Sequence, residues 1–225
     1  MKLRETIQTY YSGARGEHDS HRSWEYCYCY FRDTPVEKIA EDCDHASLQL
    51  GFYLASWGMY RGSSFLPKFA YTIHRGAIGC LAAPRFAELW TQATLTDGNR
   101  SQRVGLIMEA VAALREAYRP FAPREESRQA SDTLLTKIIL GTFGCLPACD
   151  RYFIDGFRSE GHKYSYLNAQ FVERALRFCS DNVSDLQEEQ QRIQKDSGIE
   201  YPLVKLVDMY FWQIGWDGSQ WNRVR

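Results

Sequence analysis

The sequence predicts an all-α fold, a single helical domain over residues 1–225 with about eight to ten helices. Two observations carry this. Apolar residues recur at spacings of three and four along most of the chain, while convincing two-residue alternation is nearly absent. The 44% hydrophobic and 14% aromatic content is enough for one sizeable core.

In chain order, WEYCYCYF places Trp24, Tyr26, Tyr28 and Tyr30 at every second position, so a short strand competes there with the preferred helix. From Pro35, PVEKIAEDCDHASLQLGFYLASWGMYR reads as helix with proline in its first turn. Beyond His45 it is apolar nearly all round and is expected to be buried on most sides. In RVGLIMEAVAALREAY, Val104, Ile107, Val111, Leu114 and Tyr118 share one face, with Arg103, Glu109 and Arg115 elsewhere. Leu134, Leu135, Ile138, Ile139 and Phe143 build a core helix ended by Gly144. Leu146-Pro147-Ala148-Cys149 then turns the chain, and Asp150 opens RYFIDGF.

Helical spacing joins Leu167, Phe171, Ala175 and Phe178, and again Leu203, Leu206, Tyr210, Phe211 and Ile214. The last of these helices also carries Met209, Trp212 and Trp216, which marks it as central. Pro202 suits its start and Asp217-Gly218-Ser219 its end. Breaks are expected at 96–100 (TDGNR) and 119–130, and any subdivision of the domain falls near 96–130. Leu134, Ile138, Phe143, Leu206, Phe211 and Ile214 are the predicted core.

A net charge of −1 gives the whole molecule no field for polyanions, so a nucleic-acid or phosphate partner needs a local basic patch. The opening MKLRETIQTYYSG lacks an apolar leader and no apolar run is long enough for a bilayer. A cytoplasmic protein without a membrane partner is the expectation. The seven cysteines read as reduced thiols. Their spacings at Cys27/Cys29 and Cys145/Cys149 are not zinc pairs, and nothing calls for a metal or cofactor.

From His45 to Ala87 there is no Asp or Glu, yet the run holds Arg61, Lys68, Arg75 and Arg85. Gly62-Ser63-Ser64 precedes an apolar stretch, so Ser63 or Ser64 is a candidate N-cap whose free backbone donors, with Arg61 and Lys68, would hold a phosphate. Capping alone, with solvated basic side chains, is the other reading. Trp57 and Tyr60 are candidates to stack on a base. Arg15 and His21 have the Arg-x5-His spacing of some helical ribonucleases, but the intervening Gly-Glu-His-Asp-Ser argues against a shared helix.

Asp150 is open to two readings, a helix cap or a catalytic carboxylate. A buried helix, a short Pro-containing turn and an Asp at the next helix start, over Thr133 to Phe157, resemble the region around the catalytic Asp of the helix-hairpin-helix DNA glycosylase superfamily. The resemblance implies an enzyme in which Asp150 stabilises an oxocarbenium-like transition state or activates water. The glycine-rich hairpin of that family is missing, since Ala122 to Ser131 has no Gly. No Lys stands at the hairpin position, and Lys137 lies inside the helix instead. A noncatalytic helical binding or oligomerisation protein is the alternative.

Overall fold

A computed structural model describes residues 2–13, 16, 19–62, 64–91, 97–121 and 130–221. All regular structure among them is helical: eleven α-helices and four short 3-10 helices around one hydrophobic core. The α-helices are α1 (Lys2–Gly13), α2 (Arg22–Asp33), α3 (Val36–Glu41), α4 (Cys43–Ser56), α5 (Arg75–Leu81), α6 (Asp97–Tyr118), α7 (Asp132–Thr142), α8 (Arg151–Ser159), α9 (Ala169–Asp181), α10 (Val183–Ser197) and α11 (Leu203–Trp221). WEYCYCYF is helical, within α2.

The helix number exceeds the expectation because polar residues divide apolar runs. The long run from Pro35 breaks at Asp42, whose side chain accepts the His45 N–H at 3.1 Å and so starts α4 as a separate helix. α4 is less enclosed than its composition suggests, with Leu48 50% and Phe52 62% exposed. Asp97 to Arg100, expected as a loop, is instead the first turn of α6. That helix packs against α5 and α9, and so ties the region of possible subdivision into the core; residues 122–129 lie outside the described part. Asp217-Gly218-Ser219 does not stop α11, which continues to Trp221.

Five of the six predicted core residues are buried, and Ile214 is half-buried on the rim of α11. α11 is central: it meets α1, α8, α9 and α10, and its pairing with α8 is the most extensive of the helix pairs. Glycine permits that pairing. A Cβ at Gly156 would lie 1.9 Å from the Phe211 carbonyl oxygen, and one at Gly215 would lie 1.9 Å from that of Tyr152. The two backbones therefore cross almost in contact, which fixes the start of α8 against α11.

α7 ends where Gly144, at φ +67°, returns its N–H to Ile139 O at 3.0 Å. The buried turn that follows has its backbone groups satisfied by side chains. Thr136 Oγ1 accepts the Cys149 N–H at 2.8 Å, Thr133 Oγ1 donates to Cys149 O at 2.8 Å, and Asp208 Oδ1 accepts the Ala148 N–H at 2.9 Å. This turn delivers Asp150 to the first turn of α8.

Candidate functional site

Asp150 caps α8. Its backbone is extended and Oδ1 accepts the Phe153 N–H at 3.1 Å. Unlike a surface cap, its side chain is only 15% exposed, and Oδ2 lies 3.6 Å from Lys137 Nζ. Lys137 projects from the middle of α7, is 5% exposed, donates to Trp57 O at 3.2 Å and sits 4.9 Å from the centre of the Trp57 ring. One turn apart on α11, Lys205 and Asp208 pair at 2.8 Å with side chains 3% and 5% exposed. The Lys205 ammonium is walled by Trp24, Tyr10 and Trp57, at 5.0, 5.4 and 5.6 Å from their ring centres.

Two lysines and two aspartates are thus gathered inside the core. Burial lowers the Lys137 pKa, with the charge of Asp150 opposing the shift. Burial raises that of Asp150, and Lys137 and the Phe153 N–H oppose it. Acid and base groups pushed in these directions, in direct contact, are a recurring property of functional sites.

Above the cluster lies an aromatic rim. His21 meets Trp57, Tyr10 and Trp212 edge-on at 5.1, 5.6 and 5.9 Å between ring centres. Its Nδ1 is 2.6 Å from Asp19 Oδ1, which also accepts the His21 backbone N–H at 2.8 Å. Burial alone would raise the Asp19 pKa, but the bonds from His21 bring it below the usual carboxylate range. Beside Lys205 is a cavity of about 20 Å³, bordered by residues that include Tyr10, His21, Trp24, Glu25 and Tyr201, which is the room of a water molecule.

The residues of the predicted basic patch are placed differently. Ser64 does not open an α-helix: it accepts the Leu66 N–H at 3.2 Å ahead of a 3-10 helix of three residues, Leu66–Lys68, too short to gather the donors of a phosphate site. Ser63 lies outside the described residues, as does Arg15 of the Arg-x5-His spacing. Lys68 is exposed, and so is Arg61, whose side chain folds over Gly58. Arg75 is bound to Asp44, with its Nε at 3.0 Å, and Arg85 lies over the Phe86 ring. The charges acting on Asp150 are those of Lys137, Asp208 and Lys205.

Of the two stacking candidates, Trp57 borders the buried cluster. Tyr60 instead holds His74 Nε2 at 2.8 Å, while Tyr118 holds His74 Nδ1 at 2.6 Å. A neutral imidazole donates through one nitrogen and accepts through the other, which suits two hydroxyl partners. Burial depresses the His74 pKa from 6.5 to about 4. Because the folded value is the lower one, the unfolded chain binds the proton first. The stability associated with neutral His74 is complete above about pH 6.5 and drains as pH falls toward about 4, by about 3 kcal/mol in all. Urea unfolding at about pH 7.5 and about pH 4.5 should show this loss, reduced in His74→Gln. Equal slopes in the two proteins would contradict it.

Lys137, Lys205 and Asp208 were not among the predicted site residues, although the sequence carries a sign of them. TLLTKIILG and PLVKLVDMY each set charge among apolar residues on a face that periodicity assigns to the core. Among the described residues no helix is long and apolar enough to cross a membrane, and no group of His, Cys, Asp and Glu is arranged to hold a metal ion. Compared with family models, with characterised proteins and with solved structures, the chain matches none.

Proposed function

We propose that the protein is a nucleic-acid-directed hydrolase of glycosylase type, with Asp150 as its catalytic carboxylate and Lys137 as the cation that positions it. The observation that carries this reading is the burial of Asp150, fixed by a backbone N–H on one oxygen and facing Lys137 with the other. A carboxylate held rigidly in a water-poor site stabilises developing positive charge far better than one in solvent. In the reaction, the bond between sugar C1′ and the base nitrogen breaks and its electron pair leaves with the base. Water adds to C1′, and the proton it loses balances the one the departing base takes up. Asp150 stabilises the cationic sugar and receives the proton of the attacking water.

With the Asp150 and Lys137 side chains only 15% and 5% exposed, a nucleobase reaches them only if the surrounding side chains, Trp57 against His21 among them, move apart. The same observation favours a second reading, a noncatalytic helical binding protein in which the cluster only specifies the packing of α7, α8 and α11. Release of free base from single-stranded oligonucleotides bearing deaminated or alkylated bases separates the two. The enzyme reading predicts release by the native protein and a fall of at least about a hundredfold in Asp150→Asn, which still caps α8. Absence of release across the panel, or equal release by both proteins, would favour the binding protein.

A further inference from the structure

Six aromatic rings run without a break from the buried cluster to the far end of α11. Trp57, lying over Lys137, meets His21, and His21 meets Tyr10 and Trp212. Trp212 stacks on Trp216 at 5.4 Å with the planes 10° apart, and Tyr152 stands edge-on to both, at 5.2 and 5.0 Å. At its inner end the belt reaches the proposed catalytic carboxylate through Lys137, which lies over Trp57 and faces Asp150. It is not closed over: His21, Trp57, Tyr152, Trp212 and Trp216 are all half-buried. Three of the chain's six tryptophans are spent on it.

One polar atom is left unmatched, because the Trp57 indole Nε1 is buried without a hydrogen-bond partner. A buried donor lacking an acceptor is unfavourable in the closed state, and a ligand that parts the rim and offers an oxygen or ring nitrogen relieves it. The charges around the belt are of mixed sign. Arg22 is paired with Glu25 and Arg151 with Asp155, and Asp19 lies against His21. A duplex, gripped mainly through its phosphates and with its bases already stacked on one another, finds little here, whereas an unpaired strand offers open base faces to the rings.

We infer that this belt is a stacking platform for unpaired nucleic-acid bases and leads a single strand to Asp150; the inference rests on the proposed nucleic-acid substrate. Stacking tolerates any base, and because Arg22 and Arg151 beside the belt are already paired, few counterions are released and the salt dependence is weaker than in the cationic grooves usual for single strands.

The test uses Asp150→Asn protein, so that binding is read without turnover, and follows tryptophan fluorescence during titration with short oligothymidylate and oligoadenylate strands. Saturable quenching by both is expected, with affinity falling less than about tenfold between roughly 50 and 200 mM salt. Trp216→Leu and Tyr152→Leu should each weaken binding by roughly tenfold. Circular dichroism checks that they remain folded, and Tyr166→Ala, an exposed ring outside the belt, should bind as the parent does. Tighter binding of the matching duplex, quenching by a soluble glucan in place of the strands, no quenching, or undiminished binding by both belt variants would each overturn the inference. Strands that bind through the belt while no base is released would leave the platform standing and remove the glycosylase reading. Release that is indifferent to the belt variants would do the reverse.

Discussion

Gly156→Val should abolish the native fold or leave it severely destabilised. A Cβ at this position would lie 1.9 Å from Phe211 O and 2.9 Å from the Gly215 N, both of them backbone atoms that no side-chain rotation can move aside. Accommodating it means separating α8 from α11, and with them the buried faces that Phe153, Phe157 and Phe211 share. Overpacking by side chains costs about 1–3 kcal/mol. A clash between backbones exceeds that range, and marginal stabilities of about 5–15 kcal/mol leave little to absorb it. Gly215→Ala, which would set a Cβ 1.9 Å from Tyr152 O, should lose about 3 kcal/mol or more. Urea titrations monitored by circular dichroism would show the loss. A variant within about 0.5 kcal/mol of native would mean that the two helices do not cross as closely as described.

This crossing shows how far the sequence could be read. Helical periodicity identified α6, α7 and α11 because their apolar faces are continuous: Ile107, Val111 and Leu114, Leu134 and Ile138, Leu206 and Phe211 are all buried. It could not show that Gly156 and Gly215 oppose each other, since glycine contributes nothing to an apolar pattern and the two lie in different helices. The break at Asp42 escaped for a related reason. An N-cap inside an apolar run is recognised by its bond to the His45 N–H rather than by composition.

Of the buried cluster, the sequence pointed to Asp150, through its place after a Pro-containing turn, and it placed Trp57 with the basic stretch rather than with Asp150. Lys137, Lys205 and Asp208 come together with Asp150 only when α7, α8 and α11 converge, a long-range event to which local spacing is blind. The basic stretch around Arg61 and Lys68 was read from its charge together with the Gly62-Ser63-Ser64 capping signal. Its promise depended on a helix start at Ser64, and there the chain makes a single 3-10 turn.

Asp150→Asn and Lys137→Met should each destabilise the protein by about 3 kcal/mol, although neither changes the shape of the core greatly. The first keeps the cap on Phe153 but leaves Lys137 buried without its nearest counter-charge. The second fills the same volume and strands Asp150 instead. Removing one member of a buried pair is costly because the remaining charge is isolated from both water and partner. On the proposed hydrolase reading, base release by both variants is expected to fall by about a hundredfold or more, since one lacks the carboxylate and the other the group that fixes it.

The double variant Lys137→Met/Asp150→Asn provides the most direct measurement, with stability from urea unfolding and base release followed on the same preparation. Replacing a buried ion pair by neutral groups of similar volume is often neutral or stabilising, whereas breaking it is not. If the pair is kept for chemistry, the double variant recovers to within about 1 kcal/mol of the native protein and releases base no faster than Asp150→Asn alone. A double variant that stays about 3 kcal/mol or more below native, or that releases base at the native rate, would contradict the assignment of Lys137 and Asp150 as the functional centre.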